Sequence, residues 1–137
     1  MNIAVRYYTR SGNTEKLAKA VEEATGIQAL SVDAALQERA DVLFLGCSYY
    51  AFDMDNEVKR FVSENKDKIG TIVLFGTSAL IKSMRKPMEK LLKELGADIV
   101  IDNKEFHCAG SFGVMHRGRP NDNDLEAVKK FVNEYLG

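Results

Sequence analysis

Six consecutive residues near the start of the chain, Thr9-Arg10-Ser11-Gly12-Asn13-Thr14, have the composition of a phosphate cradle. Thr9, Ser11 and Thr14 offer hydroxyl donors. Gly12 has no side chain to block close backbone approach and can take a positive φ. A helix-period run, Glu15 to Ala24, follows directly. The N–H groups of Ser11 through Thr14 would therefore lie at a helix N-terminus, without intrahelical acceptors and at the positive end of the helix dipole. A phosphate carrying up to about two charges satisfies such amides together. Arg10 reads two ways, as added positive charge for the anion or as a side chain pointing to solvent. An ordinary turn and helix cap would use the same residue types, so the position of the loop in the fold decides between the readings.

Two further segments carry groups suited to a planar, partly apolar ligand. Gly46-Cys47-Ser48-Tyr49-Tyr50-Ala51-Phe52-Asp53-Met54 holds three aromatics, and such rings stack with a gain of roughly 0.5–1.5 kcal/mol beyond burial. Thr77-Ser78-Ala79-Leu80 offers hydroxyl and backbone groups to a polar edge. A longer polar and glycine-rich stretch, Cys108 to Asn123, contains Gly110 and the basic residues His116, Arg117 and Arg119. Loops of that length are more often functional than accidental. Neither histidine has a partner at metal-ligand spacing, and Ser11 has no neighbouring histidine to activate it, so neither a metal site nor a side-chain nucleophile is expected.

The elements that must position these loops follow from hydrophobic period. Ile3 to Tyr8 is a short apolar run. Glu15 to Ala24 is helical and stops at Gly26. Ile27 to Val32 suits an edge strand. Asp41 to Gly46 and Thr71 to Gly76 are continuous apolar runs, as in strands covered on both faces. Asn56–Asn65, Pro87–Leu95 and Asp124–Leu136 have apolar stripes at helical spacing, the last capped by Asp122 or Asn123. Ala97 to Phe106 contains the fifth strand. The pattern reads as β-α repeated five times, which predicts a doubly wound α/β domain over residues 1–137, with a five-stranded parallel sheet in order 2-1-3-4-5. Ligands then sit beyond the carboxyl ends of the strands, between strands 1 and 3. The 9–14 loop stands at that switch point.

Thr-x-Ser-Gly-Asn-Thr after the first strand, with the spacing of the five strands and the chain length, resembles the short-chain flavodoxins. The Phe106-x-Cys108-x-Gly110 element and the later Gly118-Arg119-Pro120 are similar to a flavodoxin-like subgroup. The resemblance implies one bound flavin mononucleotide (FMN) and an electron carrier. Its phosphate would lie on Thr9 to Thr14. Its ring would lie among Ser48, Tyr49, Tyr50, Ala51, Phe52, Thr77, Ser78, Ala79 and Gly110. Ala51 stands where the family usually has a glycine whose peptide turns over on reduction. The strand-4 loop lacks the family's acidic residues, which implies a less negative potential.

Bulk properties limit the partners. The 137 residues carry 19 basic and 20 acidic side chains, a net charge of -1. That gives no electrostatic case for nucleic acid or an anionic membrane. Arg6 interrupts the N-terminal apolar run before a signal-peptide core forms, and Cys47 and Cys108 read as buried thiols, so the expectation is a cytoplasmic protein. The expected partners are a redox donor and acceptor, with the chain a monomer or weak dimer. An FMN-dependent NAD(P)H:quinone-type reductase is the alternative, kept open because carriers of this family are typically strongly acidic. A signalling receiver domain of the same strand order lacks its acidic cluster and phosphorylatable aspartate here.

Overall fold

The computed structural model describes residues 1–50, 53–78, 83–110 and 118–137; Tyr49, Tyr50 and Ser78 enter by backbone pairing alone. The two apolar runs become the central strands. β1 (Ile3–Tyr7), β2 (Ala29–Ser31), β3 (Ala40–Tyr50) and β5 (Ile69–Ser78) pair in parallel, with β1 between β2 and β3 and β5 beyond β3. β4 (Asp53–Met54) folds back antiparallel on the end of β3. Side-chain alternation then sets two cores. Leu43, Leu45, Ile72 and Leu74 face α2 (Asn56–Asn65) and α3 (Arg85–Leu95). Val42, Phe44, Val73 and Phe75 face α1 (Asn13–Thr25) and α4 (Asp122–Leu136). Burial on both faces explains why these strands read as unbroken apolar runs.

The fifth strand departs from its expected form. It is split into β6 (Val100–Ile101) and β7 (Phe106–Ala109), both parallel to β5. Ile72 pairs with Ile101 and Phe75 with Phe106, so the chain spends five steps where β5 spends three. The excess residues are tied down by their own polar groups. Asp102 accepts from the Lys104 amide at 2.8 Å and from the Tyr135 hydroxyl at 3.1 Å. Glu105 accepts from the Ser83 hydroxyl and the Met84 amide at 2.8 and 2.9 Å, just before α3. Counting β6 and β7 as one strand, the order is the expected 2-1-3-4-5.

The five-fold β-α repeat is corrected at one place. No helix follows β2; residues 32–39 cross to β3 as a loop, leaving four α-helices among the described residues. Arg6, only 7% exposed, donates to the Ala34, Ala35 and Val5 carbonyls at 2.8, 3.2 and 3.0 Å. Asn65 Oδ1 accepts from the Leu36 amide, and Lys68 donates to the Leu36 carbonyl. Val32 and Leu36 fill core space that a helix would otherwise fill. The guanidinium supplies enough donors to satisfy loop carbonyls that have left water.

The α4 cap is also moved. Asn121 accepts from the Asp124 amide at 3.1 Å, and Asp124 accepts from the Asn121 amide at 2.8 Å, so Asn121 is the cap in place of Asp122 or Asn123. Gly26 ends α1 as expected, and Gly96 ends α3 in the same left-handed conformation. Cys47 and Cys108 are buried free thiols, also as expected. No helix among the described residues is long and apolar enough to cross a membrane.

Candidate functional site

The 9–14 loop lies at the carboxyl end of β1, where β1 and β3 are neighbours and the chain order reverses. Gly12 is the N-cap of α1, with φ 90° and ψ -5°. An L side chain rarely adopts that conformation. A Cβ built there meets nothing within 4 Å, so glycine is required by the backbone and the space above the loop is open. Gly12 also has no side chain with which to cap the helix it opens. One expectation changes: the Gly12 amide is not bare. It donates to Thr9 Oγ1 at 2.8 Å, so the Thr9 hydroxyl shapes the turn from within.

Thr14 is fully buried, and its hydroxyl does not point out of the loop. It bonds Ser48 Oγ at 2.8 Å and Thr77 Oγ1 at 3.3 Å. Three segments that the sequence reading assigned to one site thus meet in one hydroxyl cluster: the start of α1, the end of β3 and the end of β5. Gly110 is buried beside it. A Cβ on Gly110 would lie 2.9 Å from Thr77 Cβ and 3.1 Å from Asn13 Nδ2, so its lack of a side chain lets the chain leaving β7 pass close to β5 and the start of α1.

Arg10, half exposed, makes an ion pair that neither of its two readings included. Its Nε and Nη2 both reach Asp55 Oδ1, at 2.7 and 2.6 Å. Asp55 is the N-cap residue of α2, and its side chain is 1% exposed. The pair ties the 9–14 loop to the segment that follows β4. Asp55 is the residue the sequence reading missed: an aspartate before a helical run looks like an ordinary cap, and its partner lies 45 residues away. Beside it, Lys59 bonds Asp53; burial of that carboxyl opposes ionisation, but Lys59, the Met54 amide and Lys90 together outweigh it and hold the pKa below the usual range.

Glu105 is a second missed carboxylate at this end of the sheet. Glu105 and Asp55 both act on Cys47, whose thiol burial pushes far up and these two charges push further. Arg119 of the late basic cluster forms a two-pronged pair with Asp124 at 2.6 and 2.7 Å, so its charge serves the start of α4. Ala51, Phe52, Ala79, Leu80, His116 and Arg117 lie outside the described residues, as do the side chains of Tyr49, Tyr50 and Ser78. Among the described residues no three of His, Cys, Asp and Glu gather as a metal site.

No protein-family model matches the sequence. An uncharacterized protein of Methanocaldococcus jannaschii is 25% identical over 138 residues, covering 90% of each chain. Among solved structures, a flavodoxin from the domain Archaea superposes with a TM-score of 0.77 at 18% identity, covering 98% of this chain and 95% of that one. Flavodoxin 1 from Bacillus cereus gives 0.67 at 18% identity, covering 99% and 97%. The Flv1 flavodiiron core from Synechocystis sp. PCC6803 gives 0.73 at 12% identity, covering 98% of this chain and 35% of that one. The fold is flavodoxin-like.

Proposed function

We propose that this chain binds one FMN and carries electrons between protein partners in the cytoplasm. The observation that supports this most is the opening of α1 at Gly12: an N-terminus with no side-chain cap and open space above it, at the β1–β3 switch point. That arrangement suits a phosphate ester, because amides and dipole act on one anion together. The flavodoxin-like neighbours favour a flavin as the group attached to it. FMN, when bound, supplies one- and two-electron transfer, and the protein sets its orientation, potential and access.

In this reading Ser11, Asn13 and Thr14 present amides to the phosphate, and Thr9 holds the turn. At least one of Tyr49, Tyr50 and Phe52 touches the ring, while hydroxyl or backbone groups of Thr77 and Ser78 bond its polar edge. The Thr14–Ser48–Thr77 cluster keeps the three loops in register. The reductase is the second reading, favoured by the net charge of -1, which gives little electrostatic steering toward a protein partner.

Titration with FMN, followed by flavin fluorescence and the visible spectrum, tests the cofactor. Expected is stoichiometric binding that Gly12→Val weakens. No binding at micromolar concentrations overturns the proposal. Steady-state NAD(P)H oxidation by the loaded protein, with a quinone acceptor, separates the readings: turnover selects the reductase, its absence the carrier.

A further inference from the structure

The four helices do not share charge evenly. α1 and α4 carry net charges of -1 and -2 and α2 is neutral, whereas α3, with four basic and two acidic side chains, carries +2. The whole chain is -1, which leaves -3 for everything outside α3. The basic charge is also placed against local preference. The positive end of a helix dipole favours acidic side chains in the first turn. α1, α2 and α4 follow that rule with Glu15, with Glu57, and with Asp122 and Asp124. α3 has no acidic residue there and opens on Arg85 and Lys86. A carboxylate from outside the helix, Glu105, bonds the Met84 amide at 2.9 Å and offsets part of that charge.

The cations of α3 divide into two kinds. Arg85 is tied down, by Glu89 at 2.8 Å and by the Ile101 and Asp102 carbonyls at 3.3 and 2.9 Å. Lys86, Lys90 and Lys93 are exposed, and none of them makes an ion pair among the described residues. Lys59, Lys129 and Lys130 on the other helices all face carboxylates. Spacings of four and three residues set the α3 lysines on one stripe, opposite Met88, Leu91 and Leu92 in the core. Glu89 lies to one side of the stripe, held by Arg85, and Glu94 to the other. The stripe begins at the candidate site. Met84, the residue before α3, places its sulfur 3.0 Å from Cys47 Sγ near the end of β3, and its Cε 2.6 Å from the Cβ position of Gly76, next to Thr77. Lys86 stands in the first turn beyond it, and Lys93 is about 10 Å further along.

We propose that this face of α3 docks an acidic protein, and that the electron partner of the flavin site is of that kind. The redox role rests on the carrier reading; the charge of the partner is added to it. Complementary charge steers encounter and fixes orientation even where the net charge of the whole chain does neither. A duplex or a bilayer fits less well. Either one is an extended anion that would also meet the -3 of the rest of the chain, and the apolar side of α3 is turned into the core, leaving none to insert in lipid.

Two triple variants of equal net charge test this. Lys86→Gln/Lys90→Gln/Lys93→Gln empties the stripe, and Lys19→Gln/Lys66→Gln/Lys130→Gln removes three exposed lysines elsewhere. Each 15N-labelled chain is titrated with a plant-type ferredoxin, as a small acidic redox probe, and with a basic cytochrome c. Salt is set at about 10 and 150 mM, where the screening length is roughly 30 and 8 Å. Ferredoxin should shift the amides of α3 at low salt, bind at least about tenfold tighter than cytochrome c, and lose that advantage at high salt. The stripe variant should weaken it about tenfold and the control variant about twofold or less. No ferredoxin binding, equal weakening by the two variants, shifts centred away from α3, or a preference for cytochrome c overturns the inference. Tighter binding to vesicles half made of phosphatidylserine than to ferredoxin overturns the choice of a protein partner. None of these readouts needs the flavin. Docking on α3 without FMN binding keeps the acidic partner and refutes its electron role; FMN binding without docking refutes the partner and leaves the FMN reading standing.

Discussion

Gly12→Ala separates the backbone geometry of the loop from steric contact. The added Cβ meets nothing within 4 Å, so the whole effect comes from φ 90°. Holding alanine there costs roughly 1–2 kcal/mol, against about 0.4–1 kcal/mol that alanine returns by restricting the unfolded chain. The net is about 1 kcal/mol. For 137 residues the unfolding entropy is roughly 0.29 kcal/mol/K, so the ligand-free Tm should fall by about 3–4 °C. The chain has one other way out. The loop can relax toward negative φ and recover the strain, but Gly12 then swings its neighbours' amides apart. Losing two charge-assisted bonds to a phosphate, at about 1.5 kcal/mol or more each, weakens FMN roughly 100-fold. The variant must therefore pay in stability or in affinity. Thermal melts followed by circular dichroism, run without ligand, and FMN titration of the same samples measure both. If Tm and Kd both stay at wild-type values, the geometry assigned to Gly12 is wrong.

Thr14→Val keeps the branched shape and removes the hydroxyl that Ser48 and Thr77 share, at 2.8 and 3.3 Å. Expected is a loss of about 1–2 kcal/mol, or roughly 3–7 °C in Tm; an unchanged melt sinks the structural role of the cluster. Asp124→Asn breaks the pair with Arg119, and at pH 7 it should cost about 1–2 kcal/mol in urea unfolding. Arg119 holds the Asp124 carboxyl below its ordinary pKa, so the folded state binds that proton less readily than the unfolded state. The stabilisation is complete above the unfolded pKa of about 4 and is lost as pH falls through the folded value. The gap between wild type and Asp124→Asn should close on acidification, and a gap that persists through the acid transition contradicts this. The Cys47 and Cys108 thiols, the latter pushed up to about 12 by burial and the nearby Asp124, should resist a thiol reagent in the folded protein and react in denaturant; rapid labelling of the native state refutes their burial.

Much of the architecture was legible because burial on two faces leaves a local mark. Val42 to Leu45 and Ile72 to Phe75 are apolar without a break, and only central parallel strands need that. The 9–14 loop was legible for a related reason: a positive φ, an uncapped helix start and short hydroxyl side chains all favour particular residue types at fixed, adjacent positions. The split of the fifth strand was not legible. Ala97 to Phe106 keeps enough apolar residues for one strand, and the break is enforced by Asp102 and Glu105 reaching Tyr135, Ser83 and Met84. The missing helix after β2 was hidden likewise, because Arg6 on β1 supplies donors to carbonyls 28 and 29 residues away.

The contrast between the two aspartate–arginine pairs carries this further. Arg119 and Asp124 are five residues apart, and each carboxylate oxygen takes one guanidinium nitrogen. Everything that pair needs lies within one helix start, so it is complete without a ligand. Arg10 and Asp55 are 45 residues apart and join two loops at the switch point. Their geometry leaves one oxygen buried and unmatched, at a cost of roughly 1–3 kcal/mol or more for a charged group. The same two residue types therefore make a local tie at one helix start and a long-range tie between segments at another, and only the fold tells the two apart.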